Sequence, residues 1–162
     1  MNRFYGRRKG RKLSDTNLLA LKEGSKYLIN MPNFSSNSKI ILEDLCGFNP
    51  KKIILEIGFG GGENLINSAK MNPDILYIGA DPFLNTNARC TKELLNNNIT
   101  NVRIWPDDIR QIIEFFPLNI ISEIKILFPD PWPKFKHKDR RLIQNDFLIS
   151  LYNILKLEGI IT

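Results

Sequence analysis

Histidine and cysteine are nearly missing from this sequence, which has one His, His137, and two Cys, Cys46 and Cys90, among 162 residues. The cysteines lie far apart and in no Cys-x-x-Cys pair, which excludes a disulfide framework or a thiolate cage and fits a reducing, cytoplasmic setting. A zinc site needs more partners than these, so no metal is expected. A lone His137 is a better phosphate contact or solvated side chain than a metal ligand or general base. No run approaches the roughly 20 apolar residues that a membrane span requires, so no membrane partner is expected. The start has no secretory-type apolar stretch, although its arginines are compatible with organellar targeting. Internal repeats and low-complexity tracts are also missing. What remains, 43% hydrophobic and 25% charged residues, is the composition of a globular chain of the length of one domain.

Acid is absent from the first twelve positions, which carry six basic residues: Arg3, Arg7, Arg8, Lys9, Arg11 and Lys12. The rest of the chain has 17 residues of each sign, so this arm holds the whole net charge of +6. A second basic run, Lys134, Lys136, Lys138, Arg140 and Arg141, is broken only by Asp139. Outside these two blocks the chain is net acidic. Two basic grips on an acidic body suit a polyanion held at the rim of a pocket, because Lys and Arg release counterions from phosphates whatever the base sequence. A basic arm over 1–13 and a single domain over 14–162 are therefore expected.

The apolar pattern alternates between periods. A β-branched strand at 53–57 runs into the glycine turn Gly58-Phe59-Gly60-Gly61-Gly62. A helix at 63–71, a strand at 75–80, a helix at 86–97, a short strand at 102–105 and a helix at 109–116 follow, the last stopped by Pro117. A fourth strand is predicted at 123–128, a long helix at 142–156 and a fifth strand from Gly159. Ahead of them, a helix at 18–28 and another around 40–45 flank a turn-rich stretch at 32–38. Alternating strands and helices predict an α/β, Rossmann-like parallel sheet covered on both faces. Ligands bind such sheets at the carboxyl ends of the strands. Glu56, Asp81, Asp108 and Asp130 all lie at or beside those ends.

The turn has glycines at Gly58, Gly60 and Gly62, whereas a dinucleotide fingerprint would place the third at 63, where Glu63 stands. Carboxylates around the turn would repel a diphosphate. They suit S-adenosylmethionine, whose ammonium, sulfonium, ribose hydroxyls and adenine amine give them charges and donors to receive. After the fourth strand comes Phe128-Pro129-Asp130-Pro131-Trp132-Pro133-Lys134, where prolines restrict the backbone on both sides of one acid and one Trp. Trp132 can stack on an extruded base while Asp130 accepts from its polar edge.

Arg7-Arg8-Lys9-Gly10-Arg11, the turn from Glu56 to Gly62, Asp81-Pro82-Phe83, Asp108 and the 128–134 segment with His137 and Arg140-Arg141 occur in that order. This set resembles the bacterial tRNA (guanine-N7-)-methyltransferases, which are class I methyltransferases, along nearly the whole chain. The resemblance implies methylation of guanine N7 in the tRNA variable loop, with cofactor contacts at Glu56, Gly58, Gly60, Gly62, Asp81, Asp108 and Asp130. It further implies an essential acid at Asp130 and substrate or RNA contacts from Trp132, Lys134, Lys136, His137, Lys138, Arg140 and Arg141, joined by Arg7, Arg8, Lys9 and Arg11 of the arm. Asp81 stands where the family usually has Glu, and Asp139 where a basic residue is usual. The family pattern continues past position 162 with a crossover helix and two strands, so the expected sheet lacks its last strands. The alternative is a remnant that binds RNA or cofactor without catalysis, and a third reading is methylation of an exocyclic amine.

Overall fold

A computed structural model describes residues 5–30, 39–40 and 45–162. The turn-rich stretch at 32–38 and most of the helix expected around 40–45 lie outside the described residues. Five parallel strands, β1 (Lys52–Ile57), β2 (Ile75–Ala80), β3 (Val102–Trp105), β4 (Ile121–Lys125) and β5 (Leu155–Ile161), form one sheet in the order β3-β2-β1-β4-β5. Packed with them, among the described residues, are the helices α1 (Asp15–Glu23), α2 (Glu63–Met71), α3 (Leu84–Asn96) and α4 (Asn145–Ile154). Among the described residues no helix is long and apolar enough to cross a membrane.

The period of two along β1 divides the interior. Ile53, Leu55 and Ile57 face one side, where Phe147, Leu151 and Ile154 of α4 meet Ile109, Ile112, Ile113 and Phe116. Ile54 faces the other side, where Leu65, Ile66 and Ala69 of α2 and Cys90 and Leu94 of α3 pack with Tyr27. Each fully buried Leu or Ile stabilises the fold by roughly 1.5–3 kcal/mol, so both layers hold the sheet. On the solvent side of α3 lies α1, capped by the Ser14 hydroxyl, which accepts from the Asn17 N–H. Strand order reverses at β1, with β2 on one side and β4 on the other, so a crevice opens at their carboxyl ends.

Several expected elements differ in extent, among them the fifth strand, which starts at Leu155 rather than Gly159. The stretch 109–116 forms two 3-10 turns, Ile109–Gln111 and Ile113–Phe115, instead of an α-helix. Between Asp108, which caps the first turn, and Pro117 there is little room, and spacings of three bring Ile109 with Ile112 and Ile113 with Phe116 into the same core. Strand β4 ends at Lys125, because the chain turns away before Phe128, whose φ is +52°. The helix before β5 is shorter than the apolar run, since Leu155 already pairs with Ile121 of β4. The helix expected over 18–28 starts at Asp15 and gives way after Glu23 to a 3-10 turn, Ser25–Tyr27.

Candidate active site

The glycine turn joins β1 to α2 and is pinned from β2. Asp81, only 7% exposed, accepts from the Gly60 N–H at 3.0 Å and the Phe83 N–H at 2.8 Å, while the Gly58 N–H donates to the Ala80 carbonyl. Burial pushes its carboxyl above the usual range, against the opposing pull of the Phe83 and Gly60 amides and the Thr86 hydroxyl. Gly58 has φ +76°, and a Cβ there would meet nothing within 4 Å; the turn is a cradle with room over its backbone. Gly62, φ +82°, caps α2, and a Cβ on it would come within 2.9 Å of the Cys90 sulfur.

Glu56 sits beneath the turn, 3% exposed, with one carboxylate oxygen accepting from Asn64 Nδ2 at 2.7 Å. Its other oxygen has no hydrogen-bond donor among the described residues. Burial raises its proton affinity, and the Asn64 bond and the Lys125 charge only partly offset this. Asp108, 6% exposed, is held by Arg110 through both oxygens and by the Arg110 N–H. Its carbonyl accepts from Trp105 Nε1 at 2.9 Å. Asp107 beside it pairs with Arg8 and accepts the Asp108 N–H.

A cavity of about 300 Å³ opens where these strand ends meet. Gly58, Asp81, Asp107 and Asp108 line one side, Asp130 and Trp132 another, and Tyr5, Arg7 and Arg140 the rim. Glu56, Gly60 and Gly62 support the wall without lining it. Asp130 is exposed, and its carboxylate has no hydrogen-bond or ion-pair partner among the described residues. Prolines at 129, 131 and 133 leave the turning to their neighbours, and Phe128 and Trp132 take it up at φ +52° and +38°. Phe128 is 97% exposed. The Trp132 carbonyl accepts from Arg141, and the Trp132 and His137 rings stand perpendicular with centroids 5.6 Å apart.

Both basic segments reach this cavity. The second forms a 3-10 stretch, Phe135–Arg140, that brings Arg140 to the rim, while Lys134, Lys136, His137, Lys138 and Arg141 stand off the wall. The arm is strapped along the start of α3: the Leu84 N–H donates to the Arg8 carbonyl, the Gly10 N–H to the Asn85 side chain, and Asn85 Nδ2 to the Arg11 carbonyl. This carries Arg7 to the rim and leaves Lys9 exposed. Sequence reasoning missed Asn64, Tyr5, Asp107 and Arg110. Asn64 stands two residues after Gly62, where a first-turn side chain can reach back to a strand end, whereas nothing in the sequence brings Tyr5 to Arg140 or Arg8 to Asp107. Among the described residues no group of three His, Cys, Asp or Glu is placed to hold a metal ion.

Comparisons with known proteins agree with this geometry. A family model described as "Putative methyltransferase" matches residues 50–162. A bifunctional methyltransferase of Rickettsia prowazekii (strain Madrid E) is 41% identical over 160 residues, covering 98% of this chain and 29% of that protein. The tRNA (guanine-N(7)-)-methyltransferase of Chelativorans sp. (strain BNC1) is 35% identical over 157 residues, covering 96% of this chain and 66% of its own length. This chain thus spans between about a third and two thirds of these relatives. Among solved structures, an antibiotic-related methyltransferase superposes with a TM-score of 0.54 at 21% identity, covering 78% of this chain and 62% of that one, which shows the shared α/β fold. With this sheet, this glycine turn and a match over most of its length, the chain belongs to that methyltransferase family.

Proposed function

We propose that this chain transfers the methyl group of S-adenosylmethionine to N7 of a guanine in the tRNA variable loop. One observation carries the reading: a single cavity brings the buried acids at the ends of β2 and β3 together with Asp130, which has no partner among the described residues, and with both basic segments. The names of the tRNA-modifying relatives support the choice of nucleic acid.

The residues present fit the cofactor. The cradle over Gly58 has room for backbone contact, and Glu56 keeps one oxygen without a donor among the described residues. A cation or a hydroxyl arriving there would relieve the cost of charging a buried acid. When bound, the cofactor supplies an electrophilic methyl. Glu56, Asp81 and Asp108 would hold and orient it, Asp108 through whatever its pairing with Arg110 leaves available. Guanine N7 has an in-plane lone pair and no proton, so the nucleophile needs no base. Asp130 then acts by position: it aligns the base with the methyl and offsets the positive charge that grows on the ring. Lys134, Lys136, His137, Lys138, Arg140 and Arg141, with Arg7, Arg8, Lys9 and Arg11 on the arm over 1–13, would hold phosphates around the domain over 14–162, in the cytoplasm where tRNA is found.

Titration calorimetry with S-adenosylmethionine, followed by methylation of an unmodified tRNA transcript, tests this. The expected product is cleaved by borohydride and aniline in its variable loop. Donor binding without transfer would point to the non-catalytic alternative, and a methyl on an exocyclic nitrogen to a different reaction.

A further inference from the structure

At the rim of the cavity the flat cation of Arg140 lies over two aromatic rings, its Cζ 5.0 Å from the Trp132 centroid and 5.2 Å from the Tyr5 centroid. Both distances are within cation–π range. The three residues come from three parts of the chain, the arm, the proline segment and the basic run, and the two segments that carry the rings are each placed by contacts of their own. The arm is tied to Leu84 and Asn85 a few residues beyond Tyr5. Trp132 is held at a positive φ, with Arg141 on its carbonyl and the His137 ring perpendicular to its own. A bulky residue keeps such a backbone conformation only where its surroundings impose it. Tyr5 remains 44% exposed, so a ligand can reach its ring once Arg140 moves aside.

A guanidinium and a purine share the property that matters here: both are flat and stack on aromatic faces. They differ in charge, and methylation removes that difference. As the N7 lone pair forms the new N–C bond, the electrons of the broken C–S bond return to sulfur. No proton moves, and the positive charge passes from the sulfonium to the purine. We propose that Tyr5 and Trp132 form an aromatic clamp for the target purine, that Arg140 occupies it as a stand-in in the free chain, and that the clamp holds the methylated, cationic ring more tightly than the neutral one. This rests on the methyltransferase reading and deepens it, since it assigns to Tyr5 and Trp132 a preference for the charge that develops during transfer. Displaced by the purine, Arg140 becomes free to meet a phosphate. The same preference retains the product and slows its release.

Nucleosides test the clamp without help from phosphate contacts. Binding of 7-methylguanosine and of guanosine to the full chain is followed by quenching of tryptophan fluorescence at mildly acidic pH, where the methylated ring is a full cation; buried Trp105 contributes a constant background. The methylated nucleoside is expected to bind about tenfold more tightly, the gain that one desolvated cation–π contact provides. Tyr5→Leu should bring that ratio close to one and Tyr5→Phe should preserve it, while Arg140→Ala, by removing the competitor, should tighten 7-methylguanosine about threefold. Equal affinity for the two nucleosides, an unchanged ratio in Tyr5→Leu, or weaker nucleoside binding in Arg140→Ala would each overturn the clamp. Calorimetry with the methyl donor on the same samples separates the two levels. A chain that binds the donor but fails these nucleoside tests loses the clamp and keeps the methyltransferase reading, whereas a chain that binds no donor loses that reading and the clamp's place in the reaction with it.

Discussion

The two sides of the cavity are built in opposite ways. Around the glycine turn the acids are buried and their geometry is set by the fold: Asp81 holds two backbone amides, Asp108 holds Arg110, and Glu56 holds Asn64. On the other side Asp130 is exposed and unpartnered among the described residues, between Phe128 and Trp132 in left-handed conformations. The first side is finished by folding, whereas the second leaves its acid open, as the proposed ligand would require. Groups that bind before chemistry gain from preorganisation, and a group that must follow an incoming macromolecule gains from having no competing partner to break. The largest expected effect tests this contrast. Asp130→Ala should lower single-turnover methylation by about 10²–10³-fold, the usual loss for one electrostatic group at a reacting centre, while thermal stability stays unchanged because the side chain holds nothing in the fold. A fall in melting temperature would show that Asp130 is part of the frame.

Gly62→Ala breaks the other side. The new Cβ would sit at 2.9 Å from the Cys90 sulfur on a backbone at φ +82°, so both crowding and conformation oppose it. A loss of about 1–3 kcal/mol is expected, read as a lower melting temperature. Burial and the surrounding acids push the Cys90 thiol up to about 12, so in the parent chain it should resist thiol reagents while the half-buried Cys46 reacts. The Gly62 variant should expose Cys90 to labelling, and Cys90→Ala should recover part of the lost stability by opening the crowded space.

Much of the first side was legible in the sequence and little of the second. Strand β2 and helix α2 follow the predicted limits because a β-branched run and a 3.6-residue period are local signals, and Glu56, Asp81 and Asp108 lie by the strand ends where the sequence put them. The helix expected at 109–116 failed because the core imposed spacings of three on a stretch between Asp108 and Pro117 that favours a shorter turn. Prolines around Asp130 promised rigidity, but they leave the turning to Phe128 and Trp132, which carry no turn signature of their own. Asp107 with Arg8, 99 positions apart, and Arg140 over both Tyr5 and Trp132 are tertiary pairings that no local pattern announces.

A smaller effect sharpens the claim that the buried acids serve a ligand at a cost to the free chain. The folded-state pKa values of Glu56 and Asp81 both lie above the usual carboxylate range because burial opposes their charge. The stability they contribute is therefore fully present below that range and is lost as pH rises through the elevated values. Glu56→Gln should flatten this fall and stabilise the ligand-free chain by about 1 kcal/mol near neutral pH, or roughly 3 °C, while weakening the methyl donor about tenfold or more. Equal losses of stability and donor affinity would mean that Glu56 is a structural acid.

The smallest expected effect concerns the link between the two sides, the arm. Arg8 and Asp107 remain partly solvated, so their ion pair is worth no more than about 1 kcal/mol, and Arg8→Ala should hardly move the melting temperature. The backbone bonds from Leu84 and Asn85 would still hold the arm to α3. What changes is charge: Asp107 would stand unneutralised at the cavity rim, close to where RNA phosphates are proposed to pass, and one cation would be gone from the arm. Affinity for tRNA should therefore fall by a few fold, and the slope of log affinity against log salt should flatten by about one counterion. Asp107→Asn in the same background removes the exposed anion and should restore part of the affinity without restoring the slope. If the double variant recovers both, Arg8 acts only by masking Asp107; if it recovers neither, Arg8 meets a phosphate directly and its pairing with Asp107 is a resting position.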